Sequence, residues 1–407
     1  MTTESAGDLR GADYVPLDEA DFYLDEPRSN AAFAWLRREH PVWWFEPRSF
    51  WVLSRLGDVQ RISKQPEQFS SALGITMPLP PEDRAKMPTA GAPSIIMMDP
   101  PRHNRHRQIV SKAFTPRRVS DLERRMREIV DECIESTPVG ETVDFVEHLA
   151  VPLPMRIIAE MLGVADGDLA DFRRWSDALI VQAGPEAESN TASVSVAELF
   201  GYFADRVQSH SREGTDLLAA LIQAEVEGER LTQDDILMFC MTLLVAGNET
   251  TRTLVAQGTR LLLERPDQLD RLRRGDVALP DAIEEMLRIS TPIRFFFRYA
   301  TEDIELHGEK IREGDPVMLL YPAANRDETV WGESANEFDI TRRVEPNVSF
   351  GFGQHFCLGA SLARLEARVL FEELLRRRSR WELAGEVERV RSSFVNGIHH
   401  MPVVLDR

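Results

Sequence analysis

The stretch Ile236–Gly247 (Ile-Leu-Met-Phe-Cys-Met-Thr-Leu-Leu-Val-Ala-Gly) is apolar nearly all round a helical projection. A helix with no polar face cannot lie on a surface, so the rest of the fold must be built around it. The predicted helix covers Thr232–Leu263, and its apolar run breaks at Asn248-Glu249-Thr250-Thr251 before resuming at Leu254-Val255-Ala256. Polar groups inside a buried helix cost free energy unless partnered, and such local rule-breaking tends to mark functional positions. Further helices are predicted over Arg102–Ala113, Arg118–Glu135, Pro152–Leu162, Leu169–Val181, Val194–Arg212, Thr215–Glu227, Pro266–Arg273, Asp281–Ile289 and Leu358–Arg377. A hairpin is predicted over Val42–Leu53, with short strands at Arg298–Ala300, Ile304–Leu306 and Pro316–Leu320. The fold class is therefore mainly α (α+β), with a large helical part and small β-sheets. No linker, repeat or low-complexity tract marks a boundary, so the 407 residues are read as one domain, with 1–30 as an irregular N-terminal segment.

The second constraint is chemical. Cys357 lies in the run Phe350-Gly351-Phe352-Gly353-Gln354-His355-Phe356-Cys357-Leu358-Gly359, directly before a helix-forming stretch. A sulfur at a helix N-terminus meets free N–H groups and the positive end of the helix dipole, and both favour the thiolate. A thiolate is a soft, electron-donating ligand for iron. A lone buried cysteine is usually an inert small hydrophobe. Cys133 and Cys240 add neither the spacing of a zinc site nor a disulfide framework. The pattern Phe-x-x-Gly-x-x-x-Cys-x-Gly resembles the haem-binding loop of the cytochrome P450 family, and the inert reading requires its glycines, aromatics and His355 to be coincidence.

That resemblance implies haem b held between the central helix and the cysteine loop, with Cys357 on the iron and Phe350 and Gly359 shaping the loop. Ala246 and Gly247 lack bulk, so a flat macrocycle can approach the helix. The Thr250 hydroxyl can bond the Ala246 carbonyl and bend the helix, opening a groove for dioxygen. Ala246 to Thr250 resembles the family's Ala/Gly-Gly-x-Asp/Glu-Thr motif, in which Glu249 collects protons from solvent and Thr250 holds the reacting oxygen and its waters. His103 and Arg107, four apart on one helix face, match a donor pair for one haem propionate, and Arg298 and His355 match the donors for the other. Glu285 and Arg288 alone read as a surface ion pair worth a few tenths of a kcal/mol, on the order of 0.3. The resemblance makes them the Glu-x-x-Arg pair tied to the segment before the cysteine loop. That segment usually carries Pro-x-Arg-Phe; here it is Ala335-Asn336-Glu337-Phe338, and Arg342 is the candidate replacement.

By the same resemblance, the segments Ile75–Met77, Ile95–Met98, Leu179–Gln182, Met238–Thr242, Ile293–Phe297 and Val395–Ile398 face the substrate, with Met77, Met98, Met238, Thr242, Ile293, Phe296, Val395 and Ile398 singled out. Such a set suits an apolar, adaptable pocket. Residues 71–94 form its lid, and Arg294 either meets a carboxyl or carbonyl of the substrate or lies exposed.

The formal net charge of −19 argues against general nucleic-acid binding. No apolar run is long enough to span a bilayer and the N-terminus lacks a signal-peptide core, which predicts a cytoplasmic protein of the bacterial type. Basic clusters at Arg102–Arg118 and Arg364–Arg378 are either solvated helix faces or a landing site for an acidic redox partner. The implied activity is a monooxygenase that inserts one atom of O2 into a hydrophobic small molecule, with a steroid, terpenoid or branched lipid favoured. With no reductase segment after Arg407, electrons are expected from a separate ferredoxin and its NAD(P)H-dependent reductase. Two other readings stand beside it: a peroxide-driven haem–thiolate peroxygenase, and a non-catalytic haem-binding or sensor protein.

Overall fold

The computed structural model describes residues 15–79, 93–182, 190–209, 217–226, 228–343 and 346–406. Its helices, in chain order, are α1 (Glu26–Glu39), α2 (Leu56–Ser63), α3 (Arg102–Ala113), α4 (Pro116–Asp121), α5 (Glu123–Ser136), α6 (Pro152–Met161), α7 (Leu169–Gln182) and α8 (Asn190–Ser209). They continue with α9 (Leu217–Gln223), α10 (Gln233–Glu264), α11 (Pro266–Arg274), α12 (Leu279–Ser290), the short α13 (Tyr321–Ala324) and α14 (Glu328–Trp331), and α15 (Ala360–Arg377).

Helix α10 is the central one. A capping box starts it: the Thr232 hydroxyl accepts from the Asp235 N–H, and the Asp235 carboxylate accepts from the Thr232 N–H. It then packs against α6, α7, α8, α12 and α15. Its buried Phe239, Cys240, Leu244, Leu254, Val255 and Leu262 belong to the largest apolar cluster of the molecule. A helix enclosed on so many sides has no use for a polar face.

Strands β1 (Val42–Phe45), β2 (Phe50–Leu53), β3 (Phe69–Ser70), β7 (Phe295–Ala300) and β10 (Pro316–Leu320) form a five-stranded sheet ordered β1-β2-β10-β7-β3. Only β2 and β10 run parallel, with Trp51 opposite Val317 and Leu53 opposite Leu319. The smaller strands are β4 (Thr142–Asp144), β5 (Glu225–Val226), β6 (Glu229–Arg230), β8 (Ile304–Leu306), β9 (Glu309–Ile311), β11 (Arg380–Leu383), β12 (Glu388–Arg389), β13 (Ile398–His400) and β14 (Pro402–Asp406). They pair as β11-β14-β4, β12-β13, β5-β6 and β8-β9.

Several boundaries differ from the sequence expectation. The helix predicted over Arg118–Glu135 is two helices that meet at Leu122. Within the helix predicted over Thr215–Glu227, the described residues form α9 and then β5, which turns back onto β6 with Gly228 at φ +82°. Residues 26–30, expected to be irregular, begin α1, which the Asp25 carboxylate caps by accepting from the Arg28 N–H. Strand β7 starts at Phe295 rather than Arg298. Five of its six residues are buried, so no alternation announces it. Of the predicted lid, residues 80–92 lie outside the described residues.

Candidate active site

Cys357 sits between the irregular chain that follows α14 and the start of α15, and the loop is held by its own backbone. The Cys357 N–H donates to the Phe350 carbonyl at 2.8 Å. Gly351 and Gly353 both take φ +68°. At Gly353 an added Cβ would stand 2.1 Å from the Ser63 carbonyl oxygen at the end of α2, so this loop docks on that helix only through a glycine. Arg364, one turn into α15, lies over the Phe350 ring with its guanidinium carbon 4.5 Å from the centroid. Burial pushes the Cys357 thiol up, while the Gly359 N–H and the charges of Arg107 and Arg364 pull it back toward the thiolate. Among the described residues, no group of three His, Cys, Asp or Glu side chains could hold a metal ion, so a metal at this site needs its donors from one sulfur and a separate ligand.

His103, Arg107, Arg298 and His355 converge beside that loop. The His103 and His355 rings lie 4.3 Å apart, and Arg107 donates to the Phe356 carbonyl at 2.6 Å. Arg298 is buried and donates to the carbonyl of Phe297 at 2.7 Å. Burial, Arg298, His103 and Arg107 together push the His355 imidazole down to about 2. Burial and Arg107 also lower His103. Asp99 acts electrostatically on His103 and Arg298, and its carboxylate accepts from the Ser70 hydroxyl and the Ser71 N–H. Four nitrogen donors brought together around a single engaged carboxylate suit an anionic ligand. The two carboxylates of haem fit this donor set.

On the other side of the same cavity, α10 presents Ala246, Glu249 and Thr250. The Thr250 hydroxyl donates to the Ala246 carbonyl at 2.6 Å, yet α10 stays helical throughout Gln233–Glu264 rather than breaking there. Gly247 lines the cavity beside Ala246. A Cβ on it would also meet Ile158 Cδ1 at 2.7 Å, so its lack of bulk lets α6 approach as well. Glu249 is only 4% exposed. Its Oε2 lies 3.4 Å from Arg252 Nη1, and its Oε1 would be 2.9 Å from a Cβ at Gly397. The cavity, of about 920 Å³, continues past Arg252 to Glu147, Arg173 and His399.

Glu366 is a further acid in this cavity. It is 1% exposed, and its Oε1 has no hydrogen-bond partner. Burial pushes its carboxyl up to about 8, against the pull of the Thr251 hydroxyl. Its spacing carries the signal that could have found it: four residues after Leu362 and four before Leu370, both buried, it occupies an apolar position of α15.

Of the residues singled out to face the substrate, Thr242, Ile293, Phe296 and Val395 line the cavity, as do Ile75, Ile95, Ile96 and Phe239 from the predicted segments. Four others are placed elsewhere. Met77 packs on the aromatic cluster beneath the five-stranded sheet. Met98 is buried, with its main chain bonded to the His355 ring. Met238 contributes its carbonyl to the Thr242 hydroxyl, and Ile398 is a core residue of β13. The side chains of Leu179–Gln182 lie outside the described residues. Arg294 is neither exposed nor in the cavity lining. It is buried, donates to the Ser392 and Val395 carbonyls and to Asn396 Oδ1, and so fixes the turn that carries Val395.

Glu285, Arg288 and Arg342 come together. Arg342 Nε is 3.4 Å from Glu285 Oε1, and its Nη2 donates to the Ser334 carbonyl at 2.8 Å. The basic run after Cys357 is largely neutralised within the chain. Arg364 pairs with Glu284, Arg368 with Glu123, Arg376 and Arg377 with Glu373, and Arg378 is buried on the Ile134 and Thr137 carbonyls. Charge counted along the sequence overstates the basic patch, because α5 and α12 bring acids to it.

Among the described residues no helix is long and apolar enough to cross a membrane. The sequence model of the family described as cytochrome P450 matches residues 156–276 and 277–394. The linalool 8-monooxygenase of Pseudomonas putida is 36% identical, over 96% of this chain and 98% of its own. The steroid C26-monooxygenase of Mycobacterium tuberculosis is 36% identical, over 96% of each. Among solved structures, cytochrome P450 CYP109Q5 from Chondromyces apiculatus superposes with a TM-score of 0.83 at 36% identity, over 93% of this chain and 95% of that one.

Proposed function

The chain belongs to the cytochrome P450 family, and we propose that it is a monooxygenase for a steroid, terpenoid or branched lipid, fed with electrons by a separate ferredoxin and its NAD(P)H-dependent reductase. As a haem b protein of this family, it catalyses RH + O2 + 2 e⁻ + 2 H⁺ → ROH + H2O. The observation that carries the residue assignment is one cavity holding Cys357, the four-donor cluster and the Thr250–Ala246 contact.

In this reading Cys357 would ligate the haem iron as a thiolate, Arg107 and His103 would hold one propionate, and Arg298 and His355 would hold the other. Haem, when bound, supplies the redox chemistry that activates dioxygen. The chain's own residues do the rest. Ala246 keeps the wall of α10 low where the oxygen molecule must fit. Thr250, its proton given to the Ala246 carbonyl, presents oxygen lone pairs that accept a proton from a water in the cavity. Glu249, steered by Arg252, passes protons inward from the polar end of the cavity, and Glu366 stores one beside Thr251. The isoleucine, phenylalanine and valine wall excludes bulk water from the remaining volume and holds an apolar substrate. The names of the relatives, which act on linalool and on a steroid, support the substrate class.

The test is oxygen uptake by the haem-loaded protein. Substrate-dependent uptake with ferredoxin and reductase, matched by hydroxylated product, is expected. Turnover with peroxide but none with ferredoxin would instead make it a peroxygenase, a role for which a proton-delivering Glu249 has no use. Haem binding without any substrate-dependent uptake would make it a sensor. Cys357→Ser is expected to abolish the thiolate-type absorption, and its survival would refute the ligand.

A further inference from the structure

Two short segments of chain make one wall of the cavity. Pro292, Ile293 and Phe296 lie on the run from the end of α12 into β7, and Phe394 and Val395 on the turn between β12 and β13. A single β-bridge, Ile293 opposite Val395, joins them. Two main-chain bonds close it: the Arg294 N–H donates to the Phe394 carbonyl at 2.8 Å, and the Asn396 N–H to the Pro292 carbonyl at 2.9 Å. One bridge specifies register weakly, and a slip of one residue turns each side chain to the other face. Something besides the main chain must keep Val395 on the cavity side.

Asn396 meets that need. It follows Val395, is half-buried, and is not among the residues that line the cavity. Its Oδ1 accepts from Arg294 Nη2 at 2.9 Å and from Arg389 Nη2 at 2.6 Å. Its Nδ2 donates to the carbonyl of Ser290, the last residue of α12. Its own carbonyl accepts from Gln257 Nε2 of α10 at 2.8 Å. Two guanidiniums on one side fix the orientation of the amide, because its nitrogen has only protons to offer them. On the other side of Asn396 is Gly397, whose added Cβ would stand 2.9 Å from Glu249 Oε1. The residue therefore ties α10, α12, β12 and the run before β7 to one turn, between the substrate wall and Glu249.

The choice of an amide here is informative. Arg294 is buried and gives its protons to neutral oxygens, the Ser392 and Val395 carbonyls and Asn396 Oδ1. An aspartate at 396 would answer its charge with bonds roughly twice as strong. It would also set an oxygen against the Ser290 carbonyl and lose the link to α12. Asparagine gives up the stronger electrostatics and keeps the donor, a local departure of the kind that marks function.

We propose that Asn396 is a positioning residue, which holds Phe394 and Val395 in register against Ile293 and so sets which carbon of the substrate is oxidised. This deepens the monooxygenase reading and rests on it.

The experiment compares the haem-loaded wild type with Asn396→Asp and Asn396→Ala. The aspartate keeps both acceptor bonds and lacks only the donor to Ser290, and the alanine lacks all three. Each protein is given linalool, testosterone and a methyl-branched fatty acid with ferredoxin and reductase, and the ratio of hydroxylated positions is measured. Both variants are expected to shift that ratio by about fivefold, the factor that one net hydrogen bond supplies. In hydrogen exchange on the same proteins, the amides of residues 294 and 396 should exchange about fivefold faster, with those of α15 unchanged. Ratios equal to wild type in both variants would overturn the proposal, even with all products reduced, since that is the pattern of a merely structural residue. Unchanged exchange at both amides would overturn it as well. Product from none of the three probes in the wild type would strike the substrate reading, whereas product whose ratio ignores residue 396 strikes only the positioning role.

Discussion

The guanidinium of Arg288 grips the carboxylate of Glu285 in two parallel bonds, Nε to Oε2 at 2.7 Å and Nη2 to Oε1 at 2.8 Å, and neither side chain has any exposure. Arg288 also donates to the Asn325, Ala335 and Glu337 carbonyls, and Glu285 accepts from the Asp339 N–H. The Asn325 amide in turn bonds Ser349, one residue before the cysteine loop begins. A pair that on a surface stabilises a helix slightly is here the joint between α12 and the chain leading to Cys357.

Glu285→Gln leaves the Arg288 charge buried with half its partner. Removing one member of such a pair costs about 3–5 kcal/mol. Denaturant unfolding of the variant is expected to show a loss of that size and a lower haem content after purification. A midpoint unchanged from wild type would show that the joint carries no load.

Thr250→Ala removes the hydroxyl that is proposed to hold the reacting oxygen, while Ala246 keeps its place. Oxygen uptake should continue, product per O2 should fall by about tenfold, at the low end of what a positioned proton-transfer group contributes, and hydrogen peroxide should appear in proportion. Product and peroxide measured in one reaction check this, and unchanged coupling would remove Thr250 from the mechanism.

Gly353→Ala forces a side chain toward an oxygen 2.1 Å away at a residue with φ +68°. The backbone conformation alone costs about 1–3 kcal/mol, and the clash with Ser63 can be relieved only by lifting the loop off α2. Thermal unfolding should move down and haem should be retained poorly. The same substitution at Gly275, where an added Cβ meets nothing, tests the φ penalty without the clash.

Glu366 gives stability a pH dependence whose sign is fixed. Its folded-state value, about 8, lies above that of an exposed carboxyl. Between the two, the folded state holds a proton that the unfolded chain releases. This contribution is therefore fully present at acid pH, below the unfolded value, and is lost as pH rises toward 8, with a slope of at most about 1.4 kcal/mol per pH unit. Glu366→Gln should flatten that part of the profile. Parallel stability curves for variant and wild type across this range would show that the carboxyl is not held protonated.

The sequence by itself determined the parts that depend on local spacing. The apolar circumference of Ile236–Gly247 required a central helix, and the glycines around Cys357 required a tight loop before a helix; both are present. The family resemblance of the motifs picked out Thr250, His103, Arg107, Arg298 and His355, which line one cavity. Tertiary structure decided whatever depends on a residue distant in the chain. Gly247 faces Ile158 because α6 crosses there, Arg294 is spent on the turn at Val395, and Met77 and Ile398 pack away from the cavity. The basic run after Cys357 is matched by acids from α5 and α12. Helical and strand periods record which face a residue occupies, but not what the neighbouring element places against that face. Burial, charge pairing and the proton held by Glu366 are set by that neighbour.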